Sequence, residues 1–305
     1  IYDHAAAGPG KPPLFLTSDQ CVGCHAAGGT GLHFDMTVQQ PDQPAFSHLI
    51  DISTYAEWRG SPMGLAGRDP IFFSQLETEQ TVHPALAKLA PDVCLHCHGV
   101  MGQRQFCLDQ FTGNPKANEI CNNTNLLGLN ENSQPIVPRK LFSREQVKAI
   151  PYLARTPEQQ KDSLYGGLAR DGVSCTTCHH IDVDPKTNTP IGNTFTGDFR
   201  VGAADAIQGP FDGPKQVPMD HSLGAKPVEY PLERSSQVCG SCHSVVLPVF
   251  DGDKPWVKPG TRRPENILEQ GTYPEWALSD FRDDGPTPRS CQNCHMGTSY
   301  PGVPG

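Results

Sequence analysis

A mainly helical, loop-rich chain with little sheet is the fold class this sequence predicts, and three observations predict it. Gly and Pro occur 30 times each in 305 residues, an enrichment that still falls short of disorder. Helix-start signals recur along the chain, whereas alternating strand patterns are missing beyond a short "SVVLPV". A five-residue unit, Cys-x-x-Cys-His, returns five times at irregular spacing, its first cysteines at 21, 94, 175, 239 and 291.

The elements follow in order. Residues 1–16 form a Gly/Pro-rich arm, "IYDHAAAGPGKPPLFL", ahead of the first unit. Asp69 before Pro70 gives an N-cap followed by proline in the first turn, opening "PIFFSQLETEQTVHPALAKLA", which Pro84 kinks or splits. Ser143 with Gln146, and Thr156 with Gln159 behind Pro157, each fit a capping box. The stretches 181–220 and 247–272, rich in Pro, Gly, Asp and Thr, read as loops. Residues 1–305 are expected to form one domain, and the irregular repeat excludes a tandem array.

Composition narrows the function. The net charge of −9 argues against nucleic acid, which needs a basic footprint. No apolar run approaches the eighteen or so residues of a membrane helix. Ile1 opens without a basic or apolar leader, as expected of a mature secreted chain.

The units are "CVGCH" (Cys21, Cys24, His25), "CLHCH" (Cys94, Cys97, His98), "CTTCH" (Cys175, Cys178, His179), "CGSCH" (Cys239, Cys242, His243) and "CQNCH" (Cys291, Cys294, His295). On a helical turn, residues i, i+3 and i+4 share one face. Two thiols so placed meet the two vinyl groups on a haem edge, and the following imidazole ligates the iron from below. This is the c-type haem attachment signal. Zinc ribbons pair CxxC units to reach four ligands, and neither an odd number of units nor an invariable trailing histidine fits that need. Five covalent haems c are therefore expected, in a periplasmic or extracellular compartment. Cys107 and Cys121 stand outside the units and read as a disulfide closing "CLDQFTGNPKANEIC", which contributes about 3 kcal/mol.

"YAEWRGSPMGLAGRDPIFF" before the second unit, "YPEWALSDF" before the fifth and the closing "CQNCHM" resemble segments of multihaem c-type cytochromes. The wider relatives include the tetrahaem cytochrome of ammonia oxidisers and the haem-packing core of hydroxylamine oxidoreductase. The resemblance spans units two to five and implies a multihaem cytochrome fold organised around a chain of stacked haems, in parallel and perpendicular pairs, with bis-histidine irons. The "SPMG" at 61–64 stands where relatives carry a histidine ligand.

Seven histidines remain beyond the five proximal ones: His4, His33, His48, His83, His96, His180 and His221. His180 follows His179 directly, about 100° further round a helix, so it faces a different neighbour. In small multihaem cytochromes with CxxCHH the second histidine ligates an adjacent haem, and the resemblance carries that role to His180. His83, His221 and His4 are further distal candidates, and His33, His48 and Met63 compete for the fifth place. Methionine there would raise that haem's potential. His96, inside its own unit, reads as a supporting or surface residue. Filament-forming extracellular cytochromes, which this chain resembles in size and haem density, ligate a haem of one subunit from the next. His4 on its arm is the residue that would do so, giving a head-to-tail polymer, a nanowire. Asp182 and Asp184, and Asp251 and Asp253, carry oxygen ligands suited to Ca²⁺, although neither turn completes a recognised calcium loop.

Two functions follow. Saturated irons move electrons without binding substrate, so electron transport to other redox proteins or extracellular acceptors comes first. The alternative is an oxidoreductase with one open iron acting on a small nitrogen or sulfur compound, with Arg59, Arg68 and Arg104 lining its pocket.

Overall fold

The computed structural model describes residues 3–5, 14–29, 36–40, 42–44, 47–122, 139–184, 189–190, 196–230, 235–251, 254–255, 259–260 and 265–296. Its helices are α1 (Val22–His25), α2 (Thr54–Arg59), α3 (Pro62–Leu65), α4 (Pro70–Val82), α5 (Ala90–His98), α6 (Val100–Gln110) and α7 (Ala117–Asn122). They continue with α8 (Arg144–Lys148), α9 (Pro157–Arg170), α10 (Cys175–Cys178), α11 (Val217–Leu223), α12 (Gln237–Gly240), α13 (Thr272–Ala277) and α14 (Cys291–His295). The predicted starts hold. The Asp69 carboxylate accepts from Ile71 N at 2.8 Å, and both capping boxes are made. Helix α4 stops at Val82, and Pro84 opens a separate 3-10 turn, Pro84–Leu86. Among the described residues no helix is long and apolar enough to cross a membrane.

The core is built where α6 crosses α9. At Gly102 a Cβ would stand 2.2 Å from the Tyr165 carbonyl oxygen, so only glycine permits this approach. One side of the crossing gathers Leu95, Phe106, Phe142, Val147, Tyr165 and Ala169. Phe106 meets Phe142 and Tyr165 at 5.4 Å between ring centroids. The other side gathers Phe15, Val100, Met101, Leu168, Ile181, Phe199, Val201 and Val238. Helix α8 is tied to α9 by the Arg170 guanidinium, which donates to Ala149 O at 2.8 Å. The disulfide Cys107–Cys121 joins α6 to α7, both cysteines being fully buried.

The two stretches read as loops carry more order than expected. Helix α11 begins in the first, at Val217, and short strands occur in both; along the described residues strands pair two by two. Antiparallel pairs join β1 (Thr37–Gln39) to β2 (Leu49–Asp51), β3 (Val183–Asp184) to β4 (Thr189–Pro190), and β8 (Phe250–Asp251) to β9 (Lys254–Pro255). β5 (Ala206–Gly209) runs parallel to β6 (Lys226–Glu229). β7 (Val245–Pro248), the predicted "SVVLPV" strand, pairs with β10 (Asn266–Gln270), with a register shift after Leu268. These ribbons are two to five residues long, too short for period-two patterning to rise above turn composition.

Many large apolar side chains stay uncovered by protein, among them Ile71 at 72%, Leu278 at 87% and Met296 at 57% exposure.

Candidate haem centre

All five Cys-x-x-Cys-His units sit on helical turns, as the spacing requires. The His25, His179 and His243 backbone N–H groups donate to the carbonyls of Cys21, Cys175 and Cys239 at 2.9, 3.1 and 2.8 Å. The second and fifth units lie within α5 and α14. None of the ten cysteines in the units is disulfide-bonded, and the Cys107–Cys121 disulfide lies outside the units.

Tertiary packing brings the units together in pairs that sequence order does not suggest. The first meets the third: the Cys21 thiol is hydrogen-bonded to Cys175, which raises Cys21 and lowers Cys175. His25 lies close enough to His179 to lower the latter's pKa, after the larger effect of burial. The second meets the fourth, with Cys97 hydrogen-bonded to Cys242 and the Cys242 thiol pushed up by that hydrogen bond and by burial. The fourth meets the fifth, since Cys291 N donates to Ser236 Oγ at 2.9 Å and Gln292 Nε2 to Ser235 O at 2.9 Å. His295 accordingly lowers His243, again behind burial. The third unit reaches the segment after the second through Thr176, whose hydroxyl donates to Met101 Sδ at 3.2 Å.

A strap at 196–199 fastens the second and fourth units. Thr196 N and Gly197 N donate to Ser244 O and Ser241 O, both at 2.7 Å. Gly197 has φ +75°, and a Cβ there would stand 2.6 Å from the His96 ring and 3.2 Å from Cys97 Sγ. The first and fifth units are the outward ones: Cys24, His25, Cys294 and His295 are exposed, while the cysteines of the middle three are half-buried.

The imidazoles differ in how they are held. His180 is 1% exposed, edge-on to Phe15 at 5.9 Å. Its Nδ1 lies 3.0 Å from Thr176 O, and a carbonyl only accepts, so Nδ1 carries the proton. Its Nε2, with the lone pair, is buried without a hydrogen-bond partner. Burial lowers the His180 pKa to about 4, with the Thr176 and Ala206 backbone opposing and His179 reinforcing the shift. An orphaned basic nitrogen on a ring fixed through its other N–H is the arrangement of a metal-ligating histidine. His179 Nδ1 is likewise held, by Gln208 O. The residues present would suit haem: paired cysteines outside any disulfide, an imidazole fixed through its Nδ1 and a buried lone pair.

The other described distal candidates lie at the surface of the polypeptide. His4 is half-exposed, its Nδ1 2.5 Å from Asp19 Oδ2. Its neighbours clamp the arm to its own chain: Arg170 Nε donates to Asp3 Oδ2 at 2.9 Å, and Ala5 N to Thr17 Oγ1 at 2.8 Å. His83 caps α4 with Nε2 3.8 Å from Glu79, and His221 is exposed on α11. His48 is exposed with φ +54°, and Met63 is 42% exposed on α3. His33 and Asp253 lie outside the described residues. Asp182 is ion-paired with Arg200 at 3.1 Å; Asp184 falls in β3 and Asp251 in β8.

Of the two expectations for His96, a supporting or a surface residue, the surface one fails, because His96 is buried at 3% exposure. It belongs to a network that the sequence did not reveal. Arg139 bonds Asp92 at 3.0 Å, Gln103 bonds Asp92 at 3.3 Å, and His96 Nδ1 lies 3.1 Å from Gln103. Arg104 Nη2 then donates to His96 Nε2 at 2.9 Å and to Gly197 O at 2.7 Å. Arg104 therefore does not share a pocket with Arg59 and Arg68. Those two lie near one another on the other side, Arg59 3.8 Å from Asp171 and Arg68 bonded to Gly64 O.

Among the described residues, no three His, Cys, Asp or Glu side chains gather as a site for a bare metal ion. Comparison with family models, curated proteins and solved structures gave no match, so the resemblance to multihaem cytochromes rests on the quoted motifs.

Proposed function

We propose that the chain is an electron conductor carrying five covalent haems c, working in a periplasmic or extracellular setting. The observation that carries this reading is the contact pairing of the units, first with third, second with fourth, fourth with fifth. Attachment sites scattered from residue 21 to residue 295 gain nothing from adjacency unless their groups exchange something at short range. Bound haem would supply the one-electron chemistry.

The chain's own residues do the rest. The ten cysteines fix each macrocycle edge, and His25, His98, His179, His243 and His295 supply proximal nitrogens. His180 offers a second imidazole, and its Nδ1–H bond to Thr176 keeps the ligating nitrogen deprotonated. The exposed first and fifth units form the ends at which redox partners approach, and the half-buried middle units lie inside. The large uncovered apolar side chains supply surface for porphyrin to cover, in place of a conventional core. The Cys107–Cys121 disulfide supports an oxidising compartment.

Two measurements test this. Intact mass and pyridine haemochrome absorption count the haems, five being expected. CO added to the reduced protein then counts open irons. No CO bound is the result for a conductor, whereas one CO per chain would replace this reading with the oxidoreductase.

A further inference from the structure

The second and fourth units enclose a charge that the electron-transfer reading has not used. Arg104 has the largest of the fully buried side chains, at 0% exposure, on helix α6 six residues beyond His98. A guanidinium is rarely enclosed without a purpose, because desolvating it costs several kcal/mol. Here the charge is held from several sides. Its Nη2 bonds His96 and Gly197 O, its plane lies over the Phe199 ring at 5.1 Å, and Asp198 acts on it as counter-ion. Burial lowers its pKa only to about 10, so it stays a cation at neutral pH. Geometry ties it to both units: His96, which it bonds, lies between Cys94 and Cys97, and Gly197, whose carbonyl it bonds, donates through its own N–H to Ser241 O beside Cys242.

Resting on the haem reading above, we propose that Arg104 is a fixed electrostatic element that raises the reduction potentials of the haems held by the second and fourth units. The sign follows from charge alone. Reduction adds one negative charge to a haem, and a buried cation beside both attachment edges stabilises that state. Asp198, 3.5 Å from the same His96 nitrogen, opposes the effect, and loss of the Arg104 charge leaves that carboxylate alone to lower both potentials. A raised potential at an interior position gives electrons entering at either exposed end a place to rest inside the chain.

The test is spectroelectrochemical titration of the complete holoprotein, after intact mass has counted its haems. A count below five sinks the haem reading itself; a count of five leaves the Arg104 question separate. In Arg104→Met, two of the five one-electron steps are expected to move to lower potential while three stay in place. Arg104→Lys, which keeps the charge, is expected to return them towards their original values. Should Arg104→Met fail to fold, Arg104→Gln, which removes the charge but keeps an N–H donor, decides, moving the same two steps downward. Unchanged potentials in Arg104→Met or Arg104→Gln, or an equal shift of all five steps, would overturn the proposal.

Discussion

His180 provides the sharpest test, because two explanations of its burial predict opposite outcomes. In the polypeptide its Nε2 is buried and unpaired, which costs about 1–3 kcal/mol relative to a satisfied group. An iron accepting that lone pair removes the cost. A histidine kept only for packing keeps paying it. Replacing His180 with Phe preserves the edge contact with Phe15 and removes the orphan nitrogen together with the bond to Thr176. If His180 is only core, His180→Phe leaves every iron low-spin and shifts stability by no more than about 1–2 kcal/mol, since the lost Thr176 bond and the relieved nitrogen nearly cancel. If it is a ligand, the variant keeps five attached haems but gains one high-spin iron and binds one more CO per chain than the parent. His180→Ala should give the same spectrum with an added loss of about 3 kcal/mol for the vacated ring. The assay is EPR of the oxidised protein with CO difference spectra of the reduced form. Low-spin irons throughout both variants would refute the ligand role.

Further outcomes concern the scaffold. Replacing Cys107 and Cys121 with alanine opens a loop of 14 residue steps and should cost about 3 kcal/mol in denaturant melts, with haem content unchanged. Gly102→Ala forces a Cβ against the Tyr165 carbonyl and should destabilise by at least about 1–3 kcal/mol; an unchanged melting temperature would mean that α6 and α9 do not cross so closely. Thr156→Ala removes the cap of α9 and should cost about 1 kcal/mol. Burial raises the Asp171 carboxyl above its ordinary value, against bonds from Ser174 and Ser18. Between the unfolded and folded pKa values the folded chain then binds more protons, so this group's contribution to stability falls as pH rises. Melts of Asp171→Asn and the parent across the acid range should show the parent losing ground to the variant with rising pH; the reverse trend would refute the assignment.

The sequence by itself determined whatever depends on near neighbours in the chain. Cap residues and prolines marked the starts of α4, α8 and α9, because a cap is a contact across two or three residues. The i, i+3, i+4 spacing marked the five units, and two cysteines outside them gave the disulfide. The short ribbons in the supposed loops were not legible, since strands of two to five residues are stabilised by partners rather than by their own pattern. Only the tertiary structure decided which units adjoin, because that depends on how α6, α10 and the 196–199 strap pack across long separations. Among the described distal candidates it also singled out His180, through a burial that no local pattern encodes. The charge of Arg104 was plain in the sequence. That this cation lies enclosed among His96, the Gly197 carbonyl and Phe199 is a matter of packing, and packing turns an ordinary arginine into a fixed field.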